Sequence, residues 1–286
     1  YVGSAAAVNI QLTYGTTTVG HSGDAEGDTL NGFNQISGSA FDDSLTDTVA
    51  NTIAFGYNAN QFLGNAGNDR LNLGGGNDYG HGGVGNDFVW ARNGASGFAA
   101  EGNDVVYATQ GSEANAGVGD DFGVATDRSA LYGGDGNDAV MATDNQLAGW
   151  ETADHTPDQV SGGAGDDLVV GDDGDSLAGG SGNDMFIAEA SDGDDVYYGD
   201  AGNDTLDGAA GADAMSGGIG NDVYRIDDIN DTVTEAAAEG TDRVESVLSY
   251  ALAQNLDQLY GYVATRLTQA NLRNDEQMLD ECPNLL

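Results

Sequence analysis

The sequence has no lysine, and it contains only one cysteine, two prolines and three histidines among its 286 residues. Seven arginines oppose 48 acidic side chains, which gives a formal net charge of -41 at pH 7. Nucleic-acid binding needs lysine and arginine to displace phosphate counterions, so this composition excludes that class of partner. One cysteine cannot build a disulfide framework or a thiolate zinc site. No apolar run approaches the length of a bilayer-spanning helix, so we expect no membrane span.

Catalytic signatures are also missing from the sequence. None of the three histidines stands in an H-E-x-x-H zinc-protease motif, and no G-x-S-x-G nucleophile elbow is present. We therefore expect no enzymatic activity in this chain. The sequence opens at Tyr1 without a charged and then apolar leader, so we expect a fragment or a processed chain.

The acidic residues that are present follow a regular spacing. Low hydrophobicity with high charge usually indicates disorder, and an acidic, lysine-free surface is typical of halophilic proteins. Both interpretations predict scattered aspartates. Instead, aspartates nine residues apart form two runs: Asp69, Asp78 and Asp87, and then Asp195, Asp204, Asp213 and Asp222. Fixed-period repetition of this kind indicates a solenoid built from short repeats.

The clearest copies of the repeat are residues 82–90, GGVGNDFVW, and residues 217–225, GGIGNDVYR. Both follow the nonapeptide pattern G-G-x-G-x-D-x-U-x, in which U is a large apolar residue. Glycines permit a tight turn with inward-facing carbonyls, and the aspartate adds a hard oxygen ligand of the kind Ca²⁺ prefers. The x-U-x segment is a minimal strand. Two units per rung predict an all-β, right-handed parallel β-roll in which each rung packs only against its neighbours.

The period changes between the two runs. Two further series of aspartates are spaced by 17: Asp87, Asp104, Asp121 and Asp138, and then Asp167 and Asp184. Because two nonapeptides give a period of 18, a step of 17 indicates a rung with one shortened turn. The step of 29 from Asp138 to Asp167 predicts an insertion, which we place near residues 145–161.

We expect two rows of turns to bind about eight to eleven calcium ions. One row contains Asp69, Asp87, Asp104, Asp121, Asp138, Asp167, Asp184, Asp204 and Asp222. The opposite row has Asp78 at one end and Asp175, Asp195 and Asp213 at the other. The three turns between these ends have the sequences RNG, TQG and TDR and lack the nonapeptide pattern. Calcium should therefore line one edge of the roll throughout and the opposite edge only near its ends. The predicted glycine ligands are Gly64, Gly82, Gly133, Gly162, Gly179, Gly199 and Gly217.

Over roughly residues 38–231 the chain resembles hemolysin-type calcium-binding repeat proteins of the RTX (repeats-in-toxin) family. The resemblance implies a parallel β-roll, type I secretion through a C-terminal signal, and folding outside the cell. We divide the chain into an irregular N-terminal β flank (1–46), a calcium-binding roll of 17–18-residue rungs (47–231) and a C-terminal capping segment with a candidate secretion signal (232–286).

The central strands of this roll are apolar on both faces. We call the ten residues that flank the core-facing positions the apolar strip: Phe88, Trp90, Val105, Tyr107, Phe122, Val124, Leu168, Val170, Met185 and Ile187. Strands covered on both sides have this pattern. Two explanations stay open. The chain itself covers the strip, through the insertion with Trp150 or the C-terminal segment, or the strip binds a partner or a like subunit.

The sequence favours a secreted, extracellular or surface-associated calcium-binding protein with a structural, surface-assembly or adhesive role. The alternative is the C-terminal folding and secretion module of a larger exoenzyme or pore-forming toxin. An upstream catalytic or pore-forming domain would distinguish the two.

Overall fold

The computed structural model describes residues 1–12, 18–19, 23, 29–30, 35–47, 59–74, 76–143, 157–172, 174–188, 193–236 and 239–246. Within these ranges the chain forms 25 β-strands and no α-helix. Two parallel sheets of 12 and 11 strands lie along the roll, which confirms the predicted all-β parallel β-roll. The described part of the chain has no helix with the length and apolarity needed to cross a membrane.

Each rung contributes one strand to each sheet. The first sheet consists of β1 (Asn9–Leu12), β5 (Ser44–Asp47), β7 (Arg70–Asn72), β9 (Phe88–Arg92), β11 (Val105–Thr109), β13 (Phe122–Thr126), β15 (Ala139–Ala142), β17 (Leu168–Gly171), β19 (Met185–Ala188), β21 (Thr205–Asp207), β23 (Val223–Ile226) and β25 (Arg243–Ser246). The second consists of β4 (Gln35–Ser37), β6 (Gln61–Ala66), β8 (Tyr79–Val84), β10 (Ser96–Glu101), β12 (Glu113–Val118), β14 (Ala130–Asp135), β16 (Gln159–Ala164), β18 (Ser176–Ser181), β20 (Val196–Ala201), β22 (Ala214–Ser216) and β24 (Thr232–Val233). A separate antiparallel pair joins β2 (Thr18–Val19) and β3 (Thr29–Leu30).

The U positions of the repeats form the core between the two sheets. Val89 and Val106 are aligned in neighbouring strands of the first sheet, and both are fully buried. Where the first sheet has Gly123 at this position, the large side chain of Leu131 comes from the second sheet and fills the space. The period-two alternation of the short strands therefore sets the register of every rung.

The sheets extend beyond the predicted roll boundaries at both ends. β5 crosses the boundary at residues 46 and 47, and it pairs with β1 on one side and β7 on the other. At the far end, β24 and β25 continue the two sheets past residue 231. The predicted insertion is also shorter than 145–161, because β16 (Gln159–Ala164) pairs in register with β14 and β18.

The apolar strip lies on the outer face of the first sheet. The ring centroids of Phe88 and Tyr107 are 5.7 Å apart, and those of Trp90 and Tyr107 are 6.5 Å apart. Met185 and Ile187 are 50% and 43% exposed, whereas Val124 is buried. Trp150, which we considered as a cover for this strip, lies outside the described residues.

Candidate metal centre

Eleven aspartates form a continuous row along one edge of the roll, one in each turn that leads into strands β5 to β25 of the first sheet. The row consists of Asp43, Asp69, Asp87, Asp104, Asp121, Asp138, Asp167, Asp184, Asp204, Asp222 and Asp242. Each Oδ1 accepts a hydrogen bond from a backbone N–H one rung earlier; Asp69 N–H, for example, donates to Asp87 Oδ1 at 2.7 Å. We call this set the inner aspartate row. All its members are at most 5% exposed.

The second carboxylate oxygen of the inner aspartate row has a different environment. Ten Oδ2 atoms are buried and have no hydrogen-bond partner in the described ranges: those of Asp69, Asp87, Asp104, Asp121, Asp138, Asp167, Asp184, Asp204, Asp222 and Asp242. Asp43 differs, because Ser39 N–H donates to its Oδ2. A buried carboxylate oxygen without a partner is costly, and a bound cation removes that cost.

The predicted glycines lie directly beside these oxygens. If one of these glycines carried a Cβ atom, that atom would overlap the Oδ2 of the aspartate five residues later. This holds for Gly64, Gly82, Gly133, Gly162, Gly179, Gly199 and Gly217. The position of such a Cβ atom at Gly82 lies 2.7 Å from the carbonyl oxygen of Ala99, and at Gly199 it lies 2.6 Å from the carbonyl oxygen of Gly217. We call each such space a glycine cage. Glycine keeps this space open, and a carboxylate oxygen lies at the edge of the space. In the cages at Gly82 and Gly199, a carbonyl oxygen of the next rung lies there as well.

Two middle rungs lack the glycine. Ala99 and Ala116 stand five residues before Asp104 and Asp121, and both alanines are fully buried. Their methyl groups occupy the space that glycine leaves open elsewhere. The Oδ2 atoms of Asp104 and Asp121 are nevertheless buried without a partner among the described residues.

Burial makes ionisation unfavourable for several aspartates of the inner row. It raises the pKa of Asp69, Asp87 and Asp138 to about 7 from the ordinary value of 3.8. Loss of hydration is the largest cause, the backbone N–H bonds act in the opposite direction, and neighbouring carboxylates raise the pKa further. A row of this kind favours a bound cation at neutral pH.

The opposite edge of the roll has a second, interrupted row. Its aspartates are Asp78, Asp158, Asp175, Asp195, Asp213 and Asp231. In the three middle turns Ala95, Ser112 and Ser129 take the place of aspartate. Ser129 Oγ donates to the carbonyl of Thr126 at 2.6 Å, so a hydroxyl closes this turn where a carboxylate stands elsewhere.

Several carboxylates of this second row have protein partners on both oxygens. Tyr197 donates its hydroxyl hydrogen to Asp195 Oδ2 at 3.0 Å, and Asp172 N–H donates to Asp175 Oδ2 at 3.1 Å. Asp213 alone in this row has a buried Oδ2 with no partner found in the described part of the chain, and it faces a glycine cage at Gly208. The two edges therefore differ in their capacity for metal.

Tight turns explain the shortened period in the middle of the roll. Asn93 and Gly94 both have positive φ, of 53° and 81°, and Asp127 and Arg128 have φ of 59° and 64°. Two consecutive residues of positive φ make a hairpin-like turn that needs one residue fewer than the nonapeptide turn. The step between rungs is therefore 17, as from Asp87 to Asp104, where such a turn replaces a calcium-type turn.

Comparison with known families identifies the repeat. Residues 56–89, 129–144, 157–177 and 189–224 match the RTX calcium-binding nonapeptide repeat in four copies. The chain contains RTX calcium-binding repeats. Residues 245–286 are similar to flagellar protein FliS. No curated protein matches the sequence significantly.

The geometry of the RTX roll fits calcium. The donors along the inner aspartate row are all hard oxygens, from carboxylates and backbone carbonyls, and Ca²⁺ takes six to eight such ligands. Nitrogen and sulfur ligands are absent from the row itself. The protein is a calcium-binding β-roll, and its unpartnered Oδ2 atoms beside the glycine cages are hard oxygens of the kind that calcium binds.

Four aspartates of the two rows were not recognised as row members from the sequence. Asp158 lies 17 residues before Asp175, and Asp231 lies 18 residues after Asp213, so extending the period would have found both. Asp43 lies 26 residues from Asp69, and this irregular step hid it. Asp242 lies 20 residues after Asp222, the same step as from Asp184 to Asp204, so extending the row past the last clear nonapeptide would have found it.

The sequence also did not reveal a third row on the surface of the RTX roll. Its members precede the inner aspartates by one residue: Asp42, Asn68, Asn86, Asn103, Asp120, Asn137, Asp166, Asn183, Asn203 and Asn221. Each Oδ1 accepts a backbone N–H from a neighbouring rung, as in the 2.7 Å bond from Asn86 N–H to Asn68 Oδ1. This row explains why asparagine precedes aspartate in most repeats: its side chain ties neighbouring turns together without metal.

Proposed function

We propose that this chain is a secreted, calcium-dependent β-roll that serves as a structural, surface-assembly or adhesive module, and that it has no catalytic activity. The observation behind this proposal is the line of buried, unpartnered Oδ2 atoms beside glycine cages. Calcium at these places converts repulsion between stacked carboxylates into shared coordination. Binding is therefore coupled to folding. Extracellular calcium modules bind in the range of roughly 10⁻⁴–10⁻³ M, so the sites stay empty in a low-calcium cytosol and fill outside the cell.

We expect about eight to eleven bound calcium ions per chain in native mass spectrometry with millimolar calcium. Eight unpartnered Oδ2 atoms face a glycine cage, and two face an alanine. The eleventh belongs to Asp242. Such loading would reduce the net charge of -41 to about -20. Three or fewer bound ions at saturation would contradict the proposed ligands.

The apolar strip supplies the proposed assembly surface. Six rungs at about 4.8 Å give it a length of roughly 25–30 Å, which suits an interface at the smaller end of the usual range. Arg70 and Arg92 stack over Phe88 and Trp90 at 4.2 and 4.5 Å, so two of the few cations in the chain lie along this otherwise apolar surface. Calcium builds the strip by folding the roll, and assembly through a like subunit should require calcium as well.

The double substitution Trp90→Asp with Tyr107→Asp should abolish assembly in saturating calcium, because it places two charges within the strip. Light scattering or electron microscopy measures the loss. The matched control is Tyr132→Asp with Tyr198→Asp, which alters two exposed aromatic residues of the second sheet. A strip variant that folds and assembles like the parent would disprove the interface and favour cover by the chain itself.

The complete gene tests the role of the module. An upstream protease, lipase or acylated pore-forming domain would make this roll the calcium-folding and secretion module of a larger exoenzyme or toxin, which is the alternative function.

A further inference from the structure

Three carboxylates meet at the C-terminal end of the inner aspartate row. One oxygen from each of Asp222, Glu235 and Asp242 lies within 4.8 Å of the other two. Asp222 belongs to the last clear nonapeptide, whereas Glu235 and Asp242 come from the segment that follows the repeats. The cluster therefore joins the roll to strands β24 and β25, which extend both sheets beyond it.

Glu235 stands where the repeats have the first glycine of a cage. Its sequence separation from Gly217 is 18, the same as the separation of Gly217 from Gly199 in the cage before it. Backbone pairing agrees with this alignment, since Thr234 N–H donates to the carbonyl of Met215 at 2.9 Å. The rung that should offer an empty space and a backbone oxygen thus offers a long acidic side chain.

Hydrogen bonds hold one oxygen of this carboxylate and leave the other unpaired. The Tyr224 hydroxyl donates to Glu235 Oε1, and Gly217 N–H lies 3.3 Å from the same oxygen. Tyr224 is fully buried, so this contact turns the glutamate inward. Glu235 Oε2 is buried and has no hydrogen-bond partner within the described segments.

The two aspartates of the cluster point to a ligand independently. Asp222 and Asp242 are only 1% and 5% exposed, and the Oδ2 atom of each has no partner among residues that the structure describes. Their Oδ1 atoms are already used in the inner row, because they accept the N–H groups of Asp204 and Asp222. Three acidic residues therefore meet at one place, and each has a buried carboxylate oxygen with no hydrogen-bond partner in the described part of the chain. The basic side chain of β25, Arg243, pairs with Glu245 on the surface.

We propose that Asp222, Glu235 and Asp242 form a terminal Ca²⁺ site that locks the last rung onto the roll. This inference rests on the proposed function, since it names the ligands of the last site in the row, where Asp222 Oδ2 lies beside the Gly217 cage. The site differs from the other glycine cages in its ligands: it has three carboxylates, and one of them comes from a glutamate outside the repeats. Because affinity for Ca²⁺ rises with the number of charged ligands, this site binds calcium more tightly than the cages do. It fills first and fixes β24 and β25 as the end of the solenoid.

The test is Glu235→Gln in the full chain, compared with Glu245→Gln. The substituted amide keeps an oxygen for Tyr224 but removes the charged ligand. Glu245 is a matched control, because the same change on β25 affects only ion pairs on the surface, with Arg225 and Arg243. We expect Glu235→Gln to bind one calcium ion fewer in native mass spectrometry. In a calcium titration, the tightest phase should be lost, because the affinity of this site falls by roughly tenfold. Hydrogen exchange in β24 and β25 should accelerate at limiting calcium, while the middle rungs keep their protection.

Asp242→Asn provides a second, independent removal of a ligand. It must reproduce the loss of one ion and of the tightest phase, because it empties the same site from another strand. If Asp242→Asn keeps the full count and the tightest phase, the terminal site is disproved even when Glu235→Gln does not fold. Failure of the proposed function has a different signature: the unmodified chain itself would bind no calcium.

Discussion

Removal of calcium at about pH 8.5 will convert the roll to a coil-like chain, and millimolar calcium will restore the β signal cooperatively. Burial raises the pKa of Asp69, Asp87 and Asp138 to about 7, so at pH 8.5 these carboxylates are charged, and adjacent rungs are only about 4.8 Å apart. Two charges at this separation repel by about 3 kcal/mol at an effective dielectric of 20, and by about 1 kcal/mol in full water exposure. Ten such contacts in the row oppose folding by an amount comparable to or larger than the roughly 5–15 kcal/mol that stabilises an ordinary domain.

Circular dichroism during a calcium titration of chelator-treated protein measures this transition. Magnesium at the same concentration is the control, because Mg²⁺ is smaller, requires near-octahedral geometry and retains its waters, so it should not substitute. A β spectrum that persists in excess chelator at this pH would show that the core and the third row of surface side chains suffice without metal, and it would disprove calcium-dependent folding.

The sequence predicted the roll because its chemistry repeats with the rung. Asp87, Asp104 and Asp121 are spaced by 17, and the structure stacks them as hydrogen-bonded neighbours in one row. The shortened turn was also readable from that number, and Asn93 with Gly94 shows how the backbone achieves it. Periodic local patterns suffice here because every rung contacts only its neighbours.

Features that depend on irregular steps or on three dimensions were not predictable in the same way. The step of 26 to Asp43 becomes meaningful only when β5 is seen to pair with the roll, and the place of Asp242 beyond the last clear nonapeptide follows from the pairing of β25 with β23. Glu235 could not be recognised as a candidate ligand, because its role depends on Tyr224 turning its side chain inward. The burial of Val124 within an otherwise accessible strip is likewise a property of the fold and not of its pattern.

Acid will substitute for calcium in the metal-free protein. Burial raises the pKa of Asp204 and Asp213 to about 7, and that of Asp184 to about 6, from 3.8 in an unfolded chain. Between these values the folded roll binds more protons than the unfolded chain, so its stability falls as pH rises. The stabilisation is complete below about pH 4 and is lost as pH passes through about 6 to 7. A proton on Oδ2 removes the charge and permits donation to the neighbouring carbonyl oxygen.

Calcium should reverse this pH trend. A bound cation favours the ionised carboxylates, so protons compete with calcium, and the calcium-loaded roll should become less stable as pH falls through the same window. Urea unfolding followed by circular dichroism, at about pH 5 and about pH 8, measures both trends on protein freed of calcium by dialysis and on protein in millimolar calcium. We expect the metal-free protein to unfold with a clear urea midpoint at about pH 5 and to show little folded signal at about pH 8, whereas the calcium-loaded midpoint should be higher at the higher pH. A metal-free protein that is equally or more stable at pH 8 would show that the inner aspartate row does not oppose folding through its charge, and the electrostatic account of calcium dependence would then be wrong.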